Sequence, residues 1–130
     1  MKCLLRLKCF MRADKLYLVD IIQAAEDIGR LISGMETETF VQTMSARRAT
    51  LQAIIEIGEA TAKVSPELKG KYPEVRWQDA IAMRNIAVHE YFSVDWRIVW
   101  DTAIHDIPHL KQQIQRILNI EFPTENNTKL

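Results

Sequence analysis

Residues 14–34 of the chain read D-K-L-Y-L-V-D-I-I-Q-A-A-E-D-I-G-R-L-I-S-G. The apolar residues recur at steps of three and four, which is the period of an α-helix with one buried face. Ser33-Gly34 supplies a plausible C-terminal cap, because glycine readily adopts the backbone that closes many helices. The stretch therefore predicts a first amphipathic helix, and its inward residues are Leu18, Ile21, Ile22, Ala25, Ile28 and Ile32.

The same period predicts helices further along the chain. We expect a second helix over about residues 39–65, a third from 75 to 88 or 89, a fourth from 93 or 95 to Pro108, and a fifth from Pro108 to 118. Inward residues are Met44, Leu51, Ile54, Ile55 and Ala62 on the second helix, and Leu110, Ile114, Ile117 and Leu118 on the fifth. Strand-like alternation is confined to the first few residues. The fold class is therefore all-α, an antiparallel bundle of four to five helices joined by short loops.

Local composition refines this outline. Gly58, inside the second helix, indicates a close approach by a neighbouring backbone. Residues 66–73 have turn chemistry and mixed charge, so we expect a connector there and no helix. We divide the chain into an N-terminal extension (1–12), a helical domain (13–120) and a flexible tail (121–130). The first ten residues could equally be an early helix or a surface anchor, and Met11 could be the working start.

Charge and cysteine content limit the partners and the compartment. The chain has 17 basic and 17 acidic residues and no net charge, so a polyanion must be bound locally. Cys3 and Cys9 lack the spacing of a disulfide framework or a zinc site, which favours a reducing cytoplasm. The start of the chain is too short and too interrupted for a membrane span. His105 and His109 are separated by Pro108 and lack a third ligand, so we predict neither metal nor cofactor.

The chemistry is concentrated in residues 84–91, R-N-I-A-V-H-E-Y. Arg84 can hold a phosphate, His89 can move a proton and Tyr91 presents a hydroxyl. On a regular helix, His89 is rotated roughly 140° from Arg84, so the two side chains do not converge. Either the helix ends near Val88 and His89 turns back, or a second copy of the chain supplies the missing partner across a two-fold interface.

These residues carry a resemblance to a known family. The pattern R-N-x-x-x-H-x-Y resembles the motif of HepT-like toxins of the HEPN superfamily, and the likeness covers about residues 11–118. It extends to four further segments, which are Tyr72-Pro73-Glu74-Val75-Arg76-Trp77, Val94-Asp95 with Val99-Trp100, Ile57-Gly58-Glu59-Ala60, and the opening R-A-D-K-L-Y-L-V-D-I of residues 12–21.

The resemblance implies a HEPN bundle that forms a two-fold homodimer and acts as a metal-independent endoribonuclease toxin. Arg84 and His89 would be catalytic, with Asn85 in a supporting polar role. The partner would be a minimal nucleotidyltransferase antitoxin of the MntA type, which transfers AMP onto Tyr91. Glu59, on the second predicted helix, is a candidate for orienting Arg84 or His89, and an exposed carboxylate is the alternative.

Elementary chemistry is consistent with that expectation. Metal-independent RNA cleavage needs a base for the 2′-hydroxyl, an acid for the leaving 5′-oxygen and a cation near the phosphate. One histidine cannot be base and acid at once, whereas a dimer presents two copies of His89. The expected product is a 2′,3′-cyclic phosphate. The alternatives are a non-cleaving nucleotide- or RNA-binding partner of a nucleotidyltransferase and a purely structural interaction domain.

Two further sets of residues have open interpretations. Tryptophans could stack on bases, but their helical spacing favours the core; they are Trp77, Trp96 and Trp100. A group of cations could hold an RNA backbone or be ordinary solvated surface; it consists of Arg47, Arg48, Lys63, Lys69, Lys71 and Arg76.

Overall fold

A computed structural model describes the backbone of residues 2–123 and the side chains of residues 13–123. The elements are α1 (Lys2–Ile32), α2 (Thr37–Gln42), α3 (Met44–Lys63), α4 (Pro66–Lys71), α5 (Trp77–His89), a 3₁₀ turn (Tyr91–Ser93), α6 (Trp96–Asp101), a π-helix (Thr102–Asp106) and α7 (Ile107–Glu121). Residues 2–123 contain no β-strand, so the predicted all-α bundle is confirmed. The predicted tail lies mostly outside the described residues, at 124–130.

Helix α3 is the centre of the bundle, packed between α1 and α5, while α7 covers α1. The predicted inward face of α1 is confirmed, because all six residues are buried except Ile32, which is half-buried. On α7, Ile114 and Ile117 are fully buried, and Leu110 and Leu118 are half-buried. These apolar side chains form one continuous core.

The predicted inward face of the second helix is only partly right. Leu51 and Ile54 are buried, Ile55 is half-buried, and Met44 and Ala62 are exposed. Because α3 packs on two neighbours, its buried surface is wider than one stripe and includes small residues that let the neighbours approach. They are Ala46, Ala53, Gly58 and Ala60.

The second predicted helix is also interrupted, because Thr43 has an extended backbone and separates α2 from α3. The break lets α2 place Phe40 in the core, where its ring lies 5.2 Å from that of Trp100.

The loop before α2 is as predicted: α1 ends at Ile32 and Gly34 has a φ of 77°. Helix α1 begins at Lys2, so residues 2–12 join the first helix without a break. The domain boundary at residue 12 stays a prediction.

The prediction of a non-helical connector at 66–73 was wrong, because Pro66–Lys71 forms α4. Pro66 occupies the first turn, where its missing N–H is harmless, and the Ser65 hydroxyl accepts a hydrogen bond from the Leu68 N–H at 3.2 Å. Asp14 of α1 accepts hydrogen bonds from the Ser65 N–H at 2.8 Å and the Ser65 hydroxyl at 2.6 Å. This buried contact joins the start of α4 to α1.

The fourth predicted helix does not end at Pro108. Asp95 caps α6 as one of the two expected residues, accepting a hydrogen bond from the Arg97 N–H at 3.0 Å. After α6 the π-helix continues directly into α7, and the Ile107 N–H bonds to the Thr102 carbonyl, five residues back. Pro108 lies in the first turn of α7, where it needs no donor. The wider π-helical turn thus lets the chain pass the proline without a loop.

A tyrosine–carboxylate contact joins the last turn of α7 to the loop before α5. The Tyr72 hydroxyl donates a hydrogen bond to Glu121 at 2.6 Å, and the Trp77 indole N–H donates to the Tyr72 carbonyl at 3.0 Å. The bond to Glu121 raises the pKa of Tyr72 to about 12, with desolvation adding to the shift, and lowers the pKa of Glu121. Tyr72 and Trp77, two residues of the family pattern, therefore have a structural role. Among the described residues no helix is long and apolar enough to cross a membrane.

The pKa of Tyr72 gives a pH-dependent prediction. Because the folded-state pKa is raised to about 12, the hydrogen bond should stabilise the fold fully below the ordinary tyrosine pKa of 10.0 and lose its effect as pH rises through 12. Tyr72→Phe should therefore lower the free energy of unfolding at pH 8, and the difference from wild type should shrink above pH 10. Urea unfolding followed by circular dichroism over this range measures it. A difference that stays constant to pH 12 would contradict the assignment.

Candidate active site at the end of α5

A glycine on α3 determines how closely α5 can approach. A Cβ atom built on Gly58 would lie 2.2 Å from the Arg84 Cβ, 2.8 Å from its Cγ and 3.0 Å from the Ala80 carbonyl oxygen. No side chain fits at these distances without moving α5. The close approach predicted from Gly58 is confirmed, and it occurs at the predicted catalytic arginine.

Arg84 is directed along the side of α3 and pairs with Glu59, one residue beyond Gly58. Its Nη1 donates a hydrogen bond to the Glu59 carboxylate at 2.5 Å, and the arginine side chain is only 21% exposed. The buried Nε atom has no hydrogen-bond partner among the described residues. Arg84 and Glu59, two of the predicted site residues, are therefore in direct contact, and the guanidinium is held by one of its three nitrogens.

His89 is the last residue of α5 and is exposed, as is Asn85 one turn earlier. The Glu90 N–H still bonds to the Ile86 carbonyl at 2.9 Å, so the helical ladder is regular up to this point. The arrangement in which the helix ends near Val88 and His89 turns back is thus not what the structure has. On a regular helix, His89 lies roughly 140° around and about 7.5 Å along from Arg84. Regular helical geometry therefore does not direct these two side chains to one point.

Tyr91 follows α5 in the 3₁₀ turn and contacts the start of α3. Its hydroxyl accepts a hydrogen bond from Arg48 Nε at 3.3 Å, and its ring lies edge-on to Trp96, with centroids 6.2 Å apart. The Arg47 guanidinium also contacts Trp96, at 5.1 Å from the centroid of the ring. Tyr91 is half-buried by these contacts, so its position relative to α3 is fixed.

The structure distinguishes among the six cations whose role the sequence did not decide. Arg76 pairs with Asp79 and Lys71 with Glu121, while Lys63 lies 5.9 Å from the Tyr17 ring centroid. Lys69 lies on α4, where the charge of Asp14 acts on it. Arg48 contacts Tyr91, and Arg47 contacts Trp96 of α6, whose ring packs against that of Tyr91. The Arg48 contact spans 43 residues of sequence, and no local pattern could have revealed it.

Two of the three tryptophans expected in the core are buried. Trp77 and Trp100 are buried, and Trp96 is half-buried beneath Arg47 and Tyr91. A cavity of about 150 Å³ lies elsewhere, between α3, α5, the π-helix and α7, and none of the predicted catalytic or supporting residues lines it. His105 and His109 are exposed, and no group of three or more metal-binding side chains was found among the described residues.

The described residues thus form an all-α bundle in which one helix, α5, carries Arg84, paired with Glu59, and ends at His89. A family model described as "Ribonuclease HepT-like" matches residues 21–117. The chain therefore belongs to the HepT-like ribonuclease family, and the predicted enzyme class, a ribonuclease, is confirmed at the level of the family.

Relatives agree with this assignment. A candidate RNase of Methanocaldococcus jannaschii is 33% identical over 117 residues, which cover 89% of this chain and 97% of that protein. A candidate RNase of Caldanaerobacter subterraneus is 34% identical, covering 85% of this chain and 99% of its own. A Thermococcus cleftensis protein named "Probable ribonuclease HepT" is 34% identical, covering 82% and 96%. No solved structure shows a significant match to the chain.

The contact at Gly58 predicts an unequal response of two glycines to the same change. Gly58→Ala should destabilise the fold by about 1–3 kcal/mol, because its methyl group overlaps Arg84 and the Ala80 carbonyl. Gly29→Ala, within α1, has nothing within 4 Å and should stabilise by up to about 1 kcal/mol, since alanine favours helix. Urea unfolding of both variants measures the difference. Equal effects would show that α5 does not depend on the missing side chain at 58.

Proposed function

We propose that this chain is the toxin of a toxin–antitoxin pair, a metal-independent cytoplasmic endoribonuclease whose antitoxin is a minimal nucleotidyltransferase. The observation that carries the proposal is the position of Arg84 on α5. Glu59 of α3 holds its guanidinium beside the close contact at Gly58, and the same helix α5 ends with the exposed His89. A positioned guanidinium can stabilise charge on the phosphate, and an accessible imidazole can act as the base or the acid of phosphodiester cleavage without a metal.

The angular separation of these groups supports a homodimer. On regular helical geometry Arg84 and His89 of one chain leave α5 roughly 140° apart, and a second chain could bring an arginine and a histidine to one phosphate. Near His89, α5 also exposes apolar residues, because Ile86 and Val88 are each 49% exposed. A second subunit packed on this surface would cover both side chains. We infer a two-fold interface along the outer surface of α5.

In this dimer, the two Arg84 guanidiniums would bind the non-bridging phosphate oxygens and stabilise the charge that develops there. One His89 would take the proton from the 2′-hydroxyl, and its symmetry mate would protonate the leaving 5′-oxygen. The 2′-oxygen attacks phosphorus, the bond to the 5′-oxygen breaks, and a 2′,3′-cyclic phosphate is formed. Glu59 would orient Arg84, and Asn85, exposed on the same helix, would serve as a supporting polar contact.

Tyr91 gives this site a means of inhibition. Transfer of AMP to its hydroxyl adds a bulky, negatively charged group where the RNA phosphate would bind, so repulsion and crowding oppose substrate binding. The half-buried ring, edge-on to Trp96 and bonded to Arg48, keeps the hydroxyl in one place. Such a fixed, accessible phenol is suited to recognition by a nucleotidyltransferase.

Cleavage of RNA in EDTA tests the nuclease proposal. Wild type should produce fragments that end in 2′,3′-cyclic phosphate, whereas His89→Ala and Arg84→Ala should each reduce the rate by about 10²–10⁴-fold. His105→Ala, a matched change of an exposed histidine outside the site, should cleave like wild type. Circular dichroism checks that each variant is folded.

The pattern of results also separates the alternative function. If wild type binds RNA without cleaving it, the alternative function, a non-cleaving binding module, is favoured. The Arg84–Glu59 pair could contribute to such binding as well. Cleavage that appears only when divalent metal is added would contradict the proposed chemistry.

Intact-mass measurement tests the proposed modification. Incubation with a minimal nucleotidyltransferase of the proposed antitoxin class and ATP should add the mass of AMP to wild type and abolish its RNA cleavage. Tyr91→Phe should gain no mass and should cleave RNA equally well before and after the treatment. Tyr17→Phe, a matched change on α1, should be modified like wild type. A mass gain that persists in Tyr91→Phe would place the modification elsewhere.

A further inference from the structure

Arg47 and Arg48 differ from the other arginines in the described part of the chain. Each arginine at the following positions pairs with a carboxylate: Arg30, Arg76, Arg84, Arg97 and Arg116. Within residues 13–123, neither Arg47 nor Arg48 has a carboxylate partner. Arg47 contacts the Val41 carbonyl and the Trp96 ring, and Arg48 contacts the Tyr91 hydroxyl. In a chain without net charge, this is a local concentration of uncompensated positive charge.

The position of these arginines is unfavourable for folding alone. They lie in the first two turns of α3, which has no acidic residue in its first turn, and the helix dipole disfavours cations at that end. The Arg47 Nε atom is also buried without a hydrogen-bond partner. Two cations at the start of a helix, with no carboxylate to offset them, are better explained by an anion that binds there than by stability.

Arg48 and Arg84 face the same side of the bundle. On α3, Arg48 and Glu59 are about three turns apart, or roughly 16 Å, and lie within about 20° of the same stripe. Glu59 contacts Arg84, and Arg48 contacts Tyr91 just beyond the end of α5. Both contacts therefore join α3 to α5 or to the turn that follows it, roughly 16 Å apart along α3, and the Arg48 contact flanks the proposed cleavage site.

The cavity between α1 and α3 is mainly acidic. Its lining includes Asp20, Asp27, Glu56 and Glu59 together with Lys63, so its carboxylates outnumber its cation and disfavour a polyanion there. The ring of Phe92, fully exposed and 5.4 Å from that of Tyr91, lies next to the Arg48 contact. A cation beside an exposed aromatic ring suits single-stranded nucleic acid, where one group holds phosphate and the other stacks on a base.

We propose that Arg48, beside Tyr91 and Phe92, binds a phosphodiester of the RNA substrate that flanks the one cleaved at Arg84. The proposal rests on the proposed nuclease function and extends its substrate site along α3, from the Glu59–Arg84 contact to the Arg48–Tyr91 contact. Arg47, stacked on Trp96, adds positive charge to the same position. An AMP group on Tyr91 would bring its own phosphodiester to Arg48, so modification would occupy this position in addition to blocking the cleft.

Salt-dependent binding of a single-stranded oligoribonucleotide tests the proposal, with full-length His89→Ala as the background so that the RNA stays intact. Adding Arg48→Ala should weaken binding about tenfold near 0.1 M salt. It should also lower the slope of log affinity against log salt by about 0.7 for each phosphate that the protein no longer neutralises. Arg48→Lys, which keeps the charge, should retain the slope. Arg116→Ala removes an equally charged side chain on α7 and should match the background.

The outcomes separate this proposal from the nuclease function. Unchanged affinity and slope in Arg48→Ala overturn the Arg48 assignment, and wild-type cleavage that needs Arg84 and His89 leaves the nuclease intact in that case. If RNA affinity is unchanged and AMP transfer to Tyr91 is slower, Arg48 contacts only the phosphodiester of AMP-modified Tyr91. This result also overturns the proposal that Arg48 binds RNA. A binding defect accompanied by a changed sedimentation coefficient would assign Arg48 to a contact between subunits instead, and so overturn it.

Discussion

The structure depends on the close approach of α5 to α3 at Gly58. Arg84 lies where any side chain at 58 would be, and the next residue, Glu59, holds the guanidinium. Packing and chemistry are therefore not separable at this crossing: the missing side chain that brings the two helices together also fixes where the cation lies. The rest of the bundle supports this pair, with α1 behind α3 and the Tyr72–Glu121 bond joining the loop before α5 to α7.

Charge is distributed unevenly over this protein, although its net charge is zero. Most arginines in the described part of the chain pair with a carboxylate, so the surface around them has little net charge. The start of α3 differs, because Arg47 and Arg48 have no carboxylate partner among the described residues, while the cavity between α1 and α3 is mainly acidic. A chain with no net charge thus has a local positive surface beside Tyr91.

The sequence revealed those features that depend on local periodicity. The face of α1, the close approach at Gly58 and the place of Pro108 in the first turn of α7 follow from spacing and from the conformational limits of glycine and proline. Helix α4 was missed because the turn chemistry and mixed charge of residues 66–73 indicated a connector, whereas the Ser65 cap and Pro66 begin a short helix there. The π-helix was missed because a proline predicts a break, whereas an extra residue per turn avoids it. Contacts between Arg48 and Tyr91 or Tyr72 and Glu121 join distant segments, and no periodicity encodes them.

The position of Glu121 at the end of α7 has a practical consequence for protein engineering. Because its carboxylate accepts the Tyr72 hydrogen bond and also pairs with Lys71, a chain truncated before residue 121 can form neither bond. A shortened version intended for crystallisation, or a fusion junction, should therefore be placed after this residue and not within the last turn of the helix.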